Sequence, residues 1–388
     1  MSARRITVAM TAALLTLAVP GTAAAVETVP RSWEYQSLGL GQAQQVAQGD
    51  GITVAVLDSG VVADHPALAG KVTSGPDYIQ DGLGTSDPKY GAHGTAMASD
   101  VLKVAPKAKI LSVRVTNDDD EKTEFVKGGS PIAKGIEYAV DHGADVISMS
   151  IGGELLGNNY DEDEAAALAH AAQKGVPVLA SAGNSGDEFN DAQYPAAYPG
   201  VIAVAALQQS GTRAPFSTVR TYNAVAAPGV TITSARNTGG YEPISGTSPA
   251  TALTSGVVAL MLSHNGKLTP AQVRSILTGT ARHPSGGHNP LVGYGPVDAA
   301  AAVRASAKPP ADKTAPVAYK GKAHLATPDG TSKTQHPALE TDLVTIGGGA
   351  AGVGLLMVVG AVLIGRAGRR RAAAMATPTA TTFGGYGG

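Results

Sequence analysis

The sequence predicts an α/β fold built on a doubly wound, mainly parallel sheet. Between residues 52 and 303, short apolar runs rich in Val, Ile and Ala alternate with longer helical patterns. Continuous apolar runs are typical of parallel strands, which are buried on both faces. Their alternation with helices favours crossover units that cover both faces of the sheet. The predicted strands are Ile52–Val56, Ile110–Val115, Val146–Met149, Val176–Ala180 and Val201–Ala205.

Helical periodicity fills the segments between these strands. Pro249–Ser263 is apolar nearly all round, which is typical of a helix buried in a large core. Thr269 and Pro270 predict the start of another helix, because proline is favoured at the first helical position. The strand ends of such a sheet lie along one edge, where we expect the functional site. The other predicted helices are Thr95–Val104, Ile132–His142, Glu162–Lys174 and Ala299–Val303.

Composition excludes several classes of function. The 388-residue chain contains no cysteine, which excludes disulfides, thiolate chemistry and cysteine-based zinc sites. Its formal net charge of -2 leaves no basic surplus for nucleic-acid binding. A hydrophobic fraction of 43% is ample for one large core.

Apolar segments near both ends predict export and membrane attachment. Residues 1–25 combine two arginines, an apolar stretch and a small-residue ending, the layout of a secretory signal peptide, with an uncleaved anchor as the alternative. Leu343–Ile364 contains 22 residues without a charge, which as a helix would cross about 30 Å of hydrocarbon. Four arginines follow directly, and positive charge favours the cytoplasmic side. We therefore expect a single-pass cell-membrane protein with an extracellular body and a cytoplasmic C-terminus.

Three short segments carry residues that suit nucleophilic catalysis. A predicted buried strand delivers Asp58 to its C-terminal end, His93 begins a helix, and Ser248 lies between a glycine turn and the buried helix. A serine hydroxyl becomes a good nucleophile when a histidine takes its proton, and a carboxylate holds that histidine in the correct tautomer. Each segment alone indicates only a turn or a helix start. Together, in the chain order Asp, His, Ser, they predict a catalytic triad.

These segments, with several others, resemble the subtilases from about Trp33 to Val303. The further matches include Ser148–Gly152, Ser181–Gly186 and Tyr194–Ala196. The resemblance implies a subtilisin-like fold and a serine endopeptidase that needs no cofactor and acts on protein or peptide substrates. It also implies that Asn184 and the Ser248 N–H stabilise the oxyanion, that Ser150, Ile151 and Gly152 line the substrate cleft, and that the Tyr194–Pro195 peptide bond is cis.

The whole layout is similar to that of the mycosins, subtilases associated with type VII secretion. That resemblance implies secretion-system membrane components as partners and processing of secreted proteins as a role. The chain is accordingly divided into a signal peptide (1–25), an N-terminal extension (26–50), a catalytic domain (51–305), a stalk rich in Pro, Ala and Lys (306–342), a transmembrane helix (343–364) and a cytoplasmic tail (365–388).

The segment after Ser248 departs from the family pattern. Pro249 follows the serine directly, where the family usually has a bulky residue, and Ser99–Asp100 stands where glycine is usual. A catalytically weak subtilase fold that acts as a scaffold in a secretion complex is therefore the alternative function. Calcium binding by acidic loops is a further open alternative. The acidic runs Asp118–Glu121 and Asp161–Glu164 predict either attraction of basic substrates or ordinary solvated charges.

Overall fold

The computed structural model describes residues 32–118, 129–152, 160–312 and 341–375. The predicted signal peptide, most of the predicted stalk and the tail after residue 375 lie outside these ranges. The chain divides into two compact units, residues 1–316 and 317–388. Within the first unit the described strands are β1 (Thr53–Asp58), β2 (Val72–Asp77), β3 (Lys109–Arg114), β4 (Val146–Met149), β5 (Val178–Ser181), β6 (Ile202–Leu207), β7 (Asn223–Pro228), β8 (Ile232–Ala235) and β9 (Tyr241–Ile244).

The first seven strands form one parallel sheet in the order β2-β3-β1-β4-β5-β6-β7, and β8 and β9 form a separate antiparallel hairpin. This confirms the predicted mainly parallel α/β sheet. After β1 the chain forms β2 at the edge of the sheet, returns to form β3 between β2 and β1, and then crosses to add β4 on the other side of β1. The order therefore reverses between β1 and β4, and the crevice at the carboxyl ends of two such strands is the usual binding position in open α/β sheets.

Helices cover both faces of the sheet. Side chains of β1 alternate between them, because successive residues of a strand point to opposite sides. Val54 and Val56 belong to the hydrophobic cluster on one face, whereas Ala55 and Leu57 belong to the cluster on the other. The described helices of the first unit are α1 (Trp33–Ser37), α2 (Leu40–Val46), α3 (Ala92–Val104), α4 (Pro131–Asp141), α5 (Glu162–Gln173), α6 (Thr247–His264), α7 (Pro270–Thr280) and α8 (Ala299–Ser306).

The helix starts follow local sequence signals. Ser130 accepts a hydrogen bond from Ala133 N and is followed by proline at the first position of α4. Thr269 and Gln272 form a reciprocal capping box at the start of α7. Such caps satisfy backbone N–H groups that have no partner within the helix. Helix α6 is buried along nearly its whole length, as its all-round apolar sequence predicts.

Residues 32–50, part of the predicted N-terminal extension, pack into the core of the first unit. Leu38, Leu40 and Ala43 are fully buried there. Trp33 donates its indole N–H to the Val230 carbonyl at 3.2 Å. The N-terminal helices α1 and α2 are thus part of the same folded body as the sheet.

A buried ionic network joins α1 to α3 and β8. Lys103 Nζ lies 3.1 Å from both Glu34 Oε1 and Asp100 Oδ1, and donates to the Thr233 carbonyl at 2.8 Å. Ser234 donates to the second Asp100 oxygen at 2.8 Å. Burial raises the pKa of Asp100 to about 6, against the lowering effect of Lys103 and Ser234. Asp100, which stands in the stretch that departs from the family pattern, is therefore half of a buried ion pair.

The described part of the second unit is one helix, α9 (Thr341–Met375). Its large apolar side chains are exposed, from Val353 to Ile364, with Leu356 72% and Ile364 75% exposed. No helix in the described part of the chain combines the length and the apolar character that a membrane span requires.

Candidate active site

Asp58 lies at the carboxyl end of β1 and is completely buried. Its Oδ1 accepts hydrogen bonds from the Ser59 N–H at 2.7 Å and from His93 Nδ1 at 2.8 Å. Because Nδ1 donates to a carboxylate, the other ring nitrogen of a neutral His93 is free to accept a proton. The His93 side chain is 34% exposed, so that nitrogen can face a bound molecule.

The start of α3 brings His93 against the end of β1. A side chain at Gly94 would overlap the Gly60 carbonyl, so only glycine allows this approach. The Gly94 N–H donates to the Ser59 hydroxyl at 3.1 Å. The pair Asp58–His93 is therefore fixed by backbone contacts on both sides as well as by its own hydrogen bond.

Asp118 caps α3, a function that the sequence analysis did not predict. Its Oδ2 accepts from the Ala92 N–H at 2.7 Å and its Oδ1 accepts from the His93 N–H at 3.1 Å. A carboxylate at a helix N-terminus satisfies these N–H groups and is favoured by the helix dipole. The first described residue of the acidic run 118–121 thus holds the backbone of His93.

The charges around His93 favour its protonated form. Burial lowers the pKa of His93, but the charge and hydrogen bond of Asp58 outweigh it, and the carboxylates of Asp118 and Asp100 add to the effect. The net result is a pKa raised above the ordinary value of 6.5. A base with such a pKa accepts a proton readily near neutral pH.

Ser248 lies in the first turn of α6, next to the residue that follows β4. Its hydroxyl donates to the Ser150 carbonyl at 3.1 Å, and the Ser150 hydroxyl donates to the Ser248 carbonyl at 3.0 Å. These reciprocal bonds fix the start of α6 against the end of β4. In this state Ser248 donates to Ser150 and not to His93.

Asn184 follows β5 and faces the same helix start. Its Oδ1 accepts from the Thr247 N–H at 2.8 Å and from the Thr247 hydroxyl at 3.0 Å. Those bonds orient the amide, and none of the hydrogen bonds among the described residues engages Nδ2. Asn184 therefore keeps a donor beside Ser248, and the Ser248 N–H at the N-terminus of α6 supplies a second one.

The remaining residues implied by the subtilase resemblance lie beside this constellation. Ile151 is half-buried and Gly152 is exposed, both following Ser150 at the end of β4. The Tyr194–Pro195 peptide bond is cis, which confirms that prediction.

The acidic runs serve the fold where the structure describes them. Asp161 accepts from the Asp163 and Glu164 N–H groups at the start of α5. Glu164 is buried and accepts from Ser130 and Tyr198. With Asp118 capping α3, these carboxylates have partners within the fold, so they are not simply solvated charges, and attraction of basic substrates stays a prediction. Residues 119–121 lie outside the described ranges.

Within the described ranges, no cluster of three or more acidic or histidine side chains could hold a metal ion. The residues gathered at the β1–β4 crevice are a carboxylate, a histidine, a serine and an amide. Such a set supports acyl transfer by an activated serine, because it supplies a nucleophile, a base, an orienting carboxylate and an oxyanion donor.

Comparison with known proteins defines the class to which this fold and site belong. The model of the Subtilase family matches residues 49–295, and the chain belongs to that family. It is thus a subtilisin-like serine endopeptidase with the corresponding α/β fold.

Several relatives show where within the family the similarity lies. Thermitase of Thermoactinomyces vulgaris is 36% identical over 267 residues, which cover 66% of this chain and 90% of thermitase. Mycosin-1 of Mycobacterium tuberculosis is 33% identical over 328 residues, covering 70% of this chain and 72% of mycosin-1. The crystal structure of MycP1 without its N-terminal propeptide superposes with a TM-score of 0.58 at 30% identity, covering 70% of this chain and 97% of MycP1.

Proposed function

We propose that Ser248 is the nucleophile of this endopeptidase, that His93 is its general base and that Asp58 orients His93. The observation that carries the proposal is the 2.8 Å hydrogen bond between His93 Nδ1 and the buried Asp58 carboxylate, at the sheet edge that also holds Ser248. In this assignment His93 takes the Ser248 proton as the hydroxyl attacks the scissile carbonyl. The protonated His93 then gives that proton to the departing amine, and water resolves the acyl-enzyme by the same route.

The developing oxyanion is stabilised by Asn184 Nδ2 and the Ser248 N–H. Thr247 donates two hydrogen bonds to Asn184 Oδ1 and so orients the amide. This supports the role, because a donor that is already oriented needs no reorganisation when charge develops. Ser150, Ile151 and Gly152 line the adjacent substrate cleft in the same proposal. The chemistry is complete without a cofactor.

Replacing Asn184 by alanine should lower kcat by about 10²- to 10³-fold while KM changes little, a magnitude known from the oxyanion amide of subtilisin. The reason is that the amide donates to charge that exists only in the transition state. Steady-state hydrolysis of a peptide amide measures the effect. Asn237→Ala, which removes amide bonds to the Pro88 and Tyr90 carbonyls, is the matched control. A rise in KM with unchanged kcat would contradict the role of Asn184.

In Asp118→Asn, the acid limb of the plot of kcat/KM against pH should move to lower pH. Because catalysis needs neutral His93, kcat/KM falls as pH drops through the raised pKa of His93. Removing the Asp118 charge disfavours the imidazolium, lowers that pKa and preserves activity at lower pH. The control is Asp161→Asn, which changes the N-cap residue of α5 and should leave the acid limb in place. An unmoved limb, or one moved upwards, in Asp118→Asn would contradict the electrostatic role.

The hydrogen bond from Ser248 to the Ser150 carbonyl favours a second candidate function. A serine held this way, directly before Pro249, would suit a catalytically silent scaffold in a secretion complex. Catalysis requires the hydroxyl to leave Ser150 and donate to His93. A hydrogen bond from the nucleophile to its base often forms only when substrate binds, and we therefore prefer the enzymatic role.

We propose further that the chain is exported and anchored in the cell membrane by residues 343–364. Support comes from the uncharged apolar sequence, the arginines that follow it and the exposed apolar side chains of α9. The similarity to MycP1, an essential component of the type VII (ESX-1) secretion system, supports a role in processing proteins of such a system. Its membrane components would be the partners.

A chain ended after Asp342 should appear in the culture medium, whereas the full chain should stay with the membrane fraction after carbonate extraction. External protease on intact cells should degrade the body and spare a tag placed after Arg366. Retention of the shortened chain in the membrane, or cleavage of the tag from outside, would contradict the proposed topology. Both fractions retain the enzyme body, so activity can be followed in each.

A further inference from the structure

Arg114 is a buried cation beside the proposed catalytic carboxylate. It is the last residue of β3 and only 1% exposed, and its register partners in the sheet are Asp58 of β1 and Asp77 of β2. Burying a charge costs free energy unless hydrogen bonds and an opposite charge compensate for the lost water. The groups that bind the Arg114 guanidinium therefore show what this residue holds together.

Two of its nitrogens bind carboxylates that follow β2. Arg114 Nη1 donates to Asp77 Oδ2 at 2.9 Å and to Asp81 Oδ1 at 2.7 Å, and Nη2 donates to Asp81 Oδ2 at 2.6 Å. These hydrogen bonds hold the pKa of Asp81 below its usual value. The Asp77 and Asp81 side chains are nevertheless 33% and 28% exposed, so water reaches both. Neutralising this pair of carboxylates does not by itself require a buried cation.

The third nitrogen binds the residue that follows Asp58. Arg114 Nε donates to the Ser59 carbonyl at 2.9 Å. Ser59 donates its N–H to Asp58 Oδ1 at 2.7 Å, and its hydroxyl accepts from the Gly94 N–H at 3.1 Å. Ser59 thus links the carboxylate to the start of the helix that carries His93. Arg114 fixes the backbone of that linking residue, and the bidentate bond to Asp81 fixes Arg114.

We propose that Arg114 is a positioning residue, which orients the Asp58 carboxylate through the backbone of Ser59. This inference rests on the proposed roles of Asp58, His93 and Ser248. Arg114 touches no reacting atom. By fixing the Ser59 carbonyl it keeps the Ser59 N–H on Asp58 Oδ1, the oxygen that also accepts from His93 Nδ1. Because a misplaced catalytic group slows the chemical step, the loss of Arg114 should appear in kcat.

The first test is Arg114→Gln in the full chain in detergent micelles. For a peptide amide, kcat should fall by about tenfold or more while KM stays within about a factor of two, since a displaced carboxylate misorients the base and leaves substrate binding alone. The matched control is Arg274→Gln, which removes a partly buried arginine that donates to the Val201 carbonyl at 3.0 Å. This control should keep kcat within about a factor of two.

A double-mutant cycle separates positioning from a general loss of structure. An activated ester keeps hydrolysis measurable without Asp58 and serves as substrate in all arms. Asp58→Ala removes the carboxylate that Arg114 orients, so adding Arg114→Gln to Asp58→Ala should lower kcat by less than about a factor of two. A merely structural effect would lower kcat by the same factor in both backgrounds, and that result would overturn the inference. Full kcat in a folded Arg114→Gln would overturn it as well.

Should Arg114→Gln fail to fold, Asp81→Asn takes its place in the cycle. This change weakens the bidentate bond that fixes Arg114 and leaves the bond to Ser59 intact. We expect kcat to fall by about threefold with Asp58 present and to stay unchanged in Asp58→Ala. An unchanged kcat with Asp58 present, or equal losses in both backgrounds, would contradict the positioning role.

Fluorophosphonate labelling distinguishes failure of this inference from failure of the proposed function. Wild type that is labelled at Ser248, with full kcat in Arg114→Gln or, where that variant does not fold, in Asp81→Asn, overturns the role of Arg114 alone. Wild type that is never labelled overturns the proposed function, and this inference with it.

Discussion

Ser248→Ala should lower kcat for peptide hydrolysis by about 10⁶-fold, a magnitude known from removal of the nucleophile in subtilisin. Alanine keeps the backbone N–H and the helix start, so the loss is one of chemistry. The variant should fold normally, since it forfeits only the bond from the hydroxyl to the Ser150 carbonyl. Single-turnover hydrolysis of a peptide amide, with circular dichroism to verify folding, measures both properties.

A second serine of the same helix provides the control. Ser255 is fully buried on α6 and donates to the Ser148 hydroxyl at 2.9 Å. Ser255→Ala should keep kcat within about a factor of three, because a buried hydrogen bond contributes to stability by about 1 kcal/mol and this one touches no reacting group. Equal losses in the two variants would show that packing of α6, and not the Ser248 hydroxyl, governs activity.

Lys103→Met should lower the free energy of unfolding by about 3–5 kcal/mol at pH 7. Lys103 is the cation that faces both Glu34 and Asp100, each of which is buried. Without it, two carboxylates stay buried with no opposing charge. Urea unfolding of the full chain in detergent measures the loss, and the single tryptophan, Trp33, reports on it from α1 beside the network.

The pH dependence of this variant has a definite sign. The folded-state pKa of Asp100 is raised to about 6 from 3.8 by burial, so the folded state binds more protons in that window and stability from this group is lost as pH rises through it. Lys103 lowers the pKa of Asp100, so the variant should recover stability on acidification more strongly than the wild type. The control is Lys107→Met. The ion pair between Lys107 and Asp50 is exposed, so its loss should lower the free energy of unfolding by less than about 0.5 kcal/mol. Equal losses in both lysine variants would contradict the buried network.

The sheet could be predicted from the sequence wherever a strand is apolar throughout. The five predicted strands are present: Val146–Met149 coincides with β4, and the ends of the other four are displaced by one or two residues. The edge strand β2 was missed because Val72–Asp77 contains Gly75 and Pro76 and has no fully buried residue. β7 begins with a buried asparagine and ends in proline, which hides it from an apolar pattern.

The position of the candidate site could also be predicted, because strand ends and helix starts bring Asp58, His93, Ser248 and Asn184 to one edge of a parallel sheet, and their catalytic roles stay predictions. What the sequence could not provide is the set of contacts made across long chain separations. In the sequence, Asp118 is one member of an acidic run, and only the fold places it at the N-terminus of α3.

The most direct test of the central claim is to map the adduct formed by a fluorophosphonate on the full chain. We expect one phosphonylated residue, Ser248, found by mass spectrometry of the digested protein. Labelling should be lost in His93→Ala and kept in Asn237→Ala, because His93 activates the serine whereas the Asn237 amide binds the Pro88 and Tyr90 carbonyls. An adduct on another serine, or no adduct on a folded chain, would contradict the assignment of Ser248 as the nucleophile.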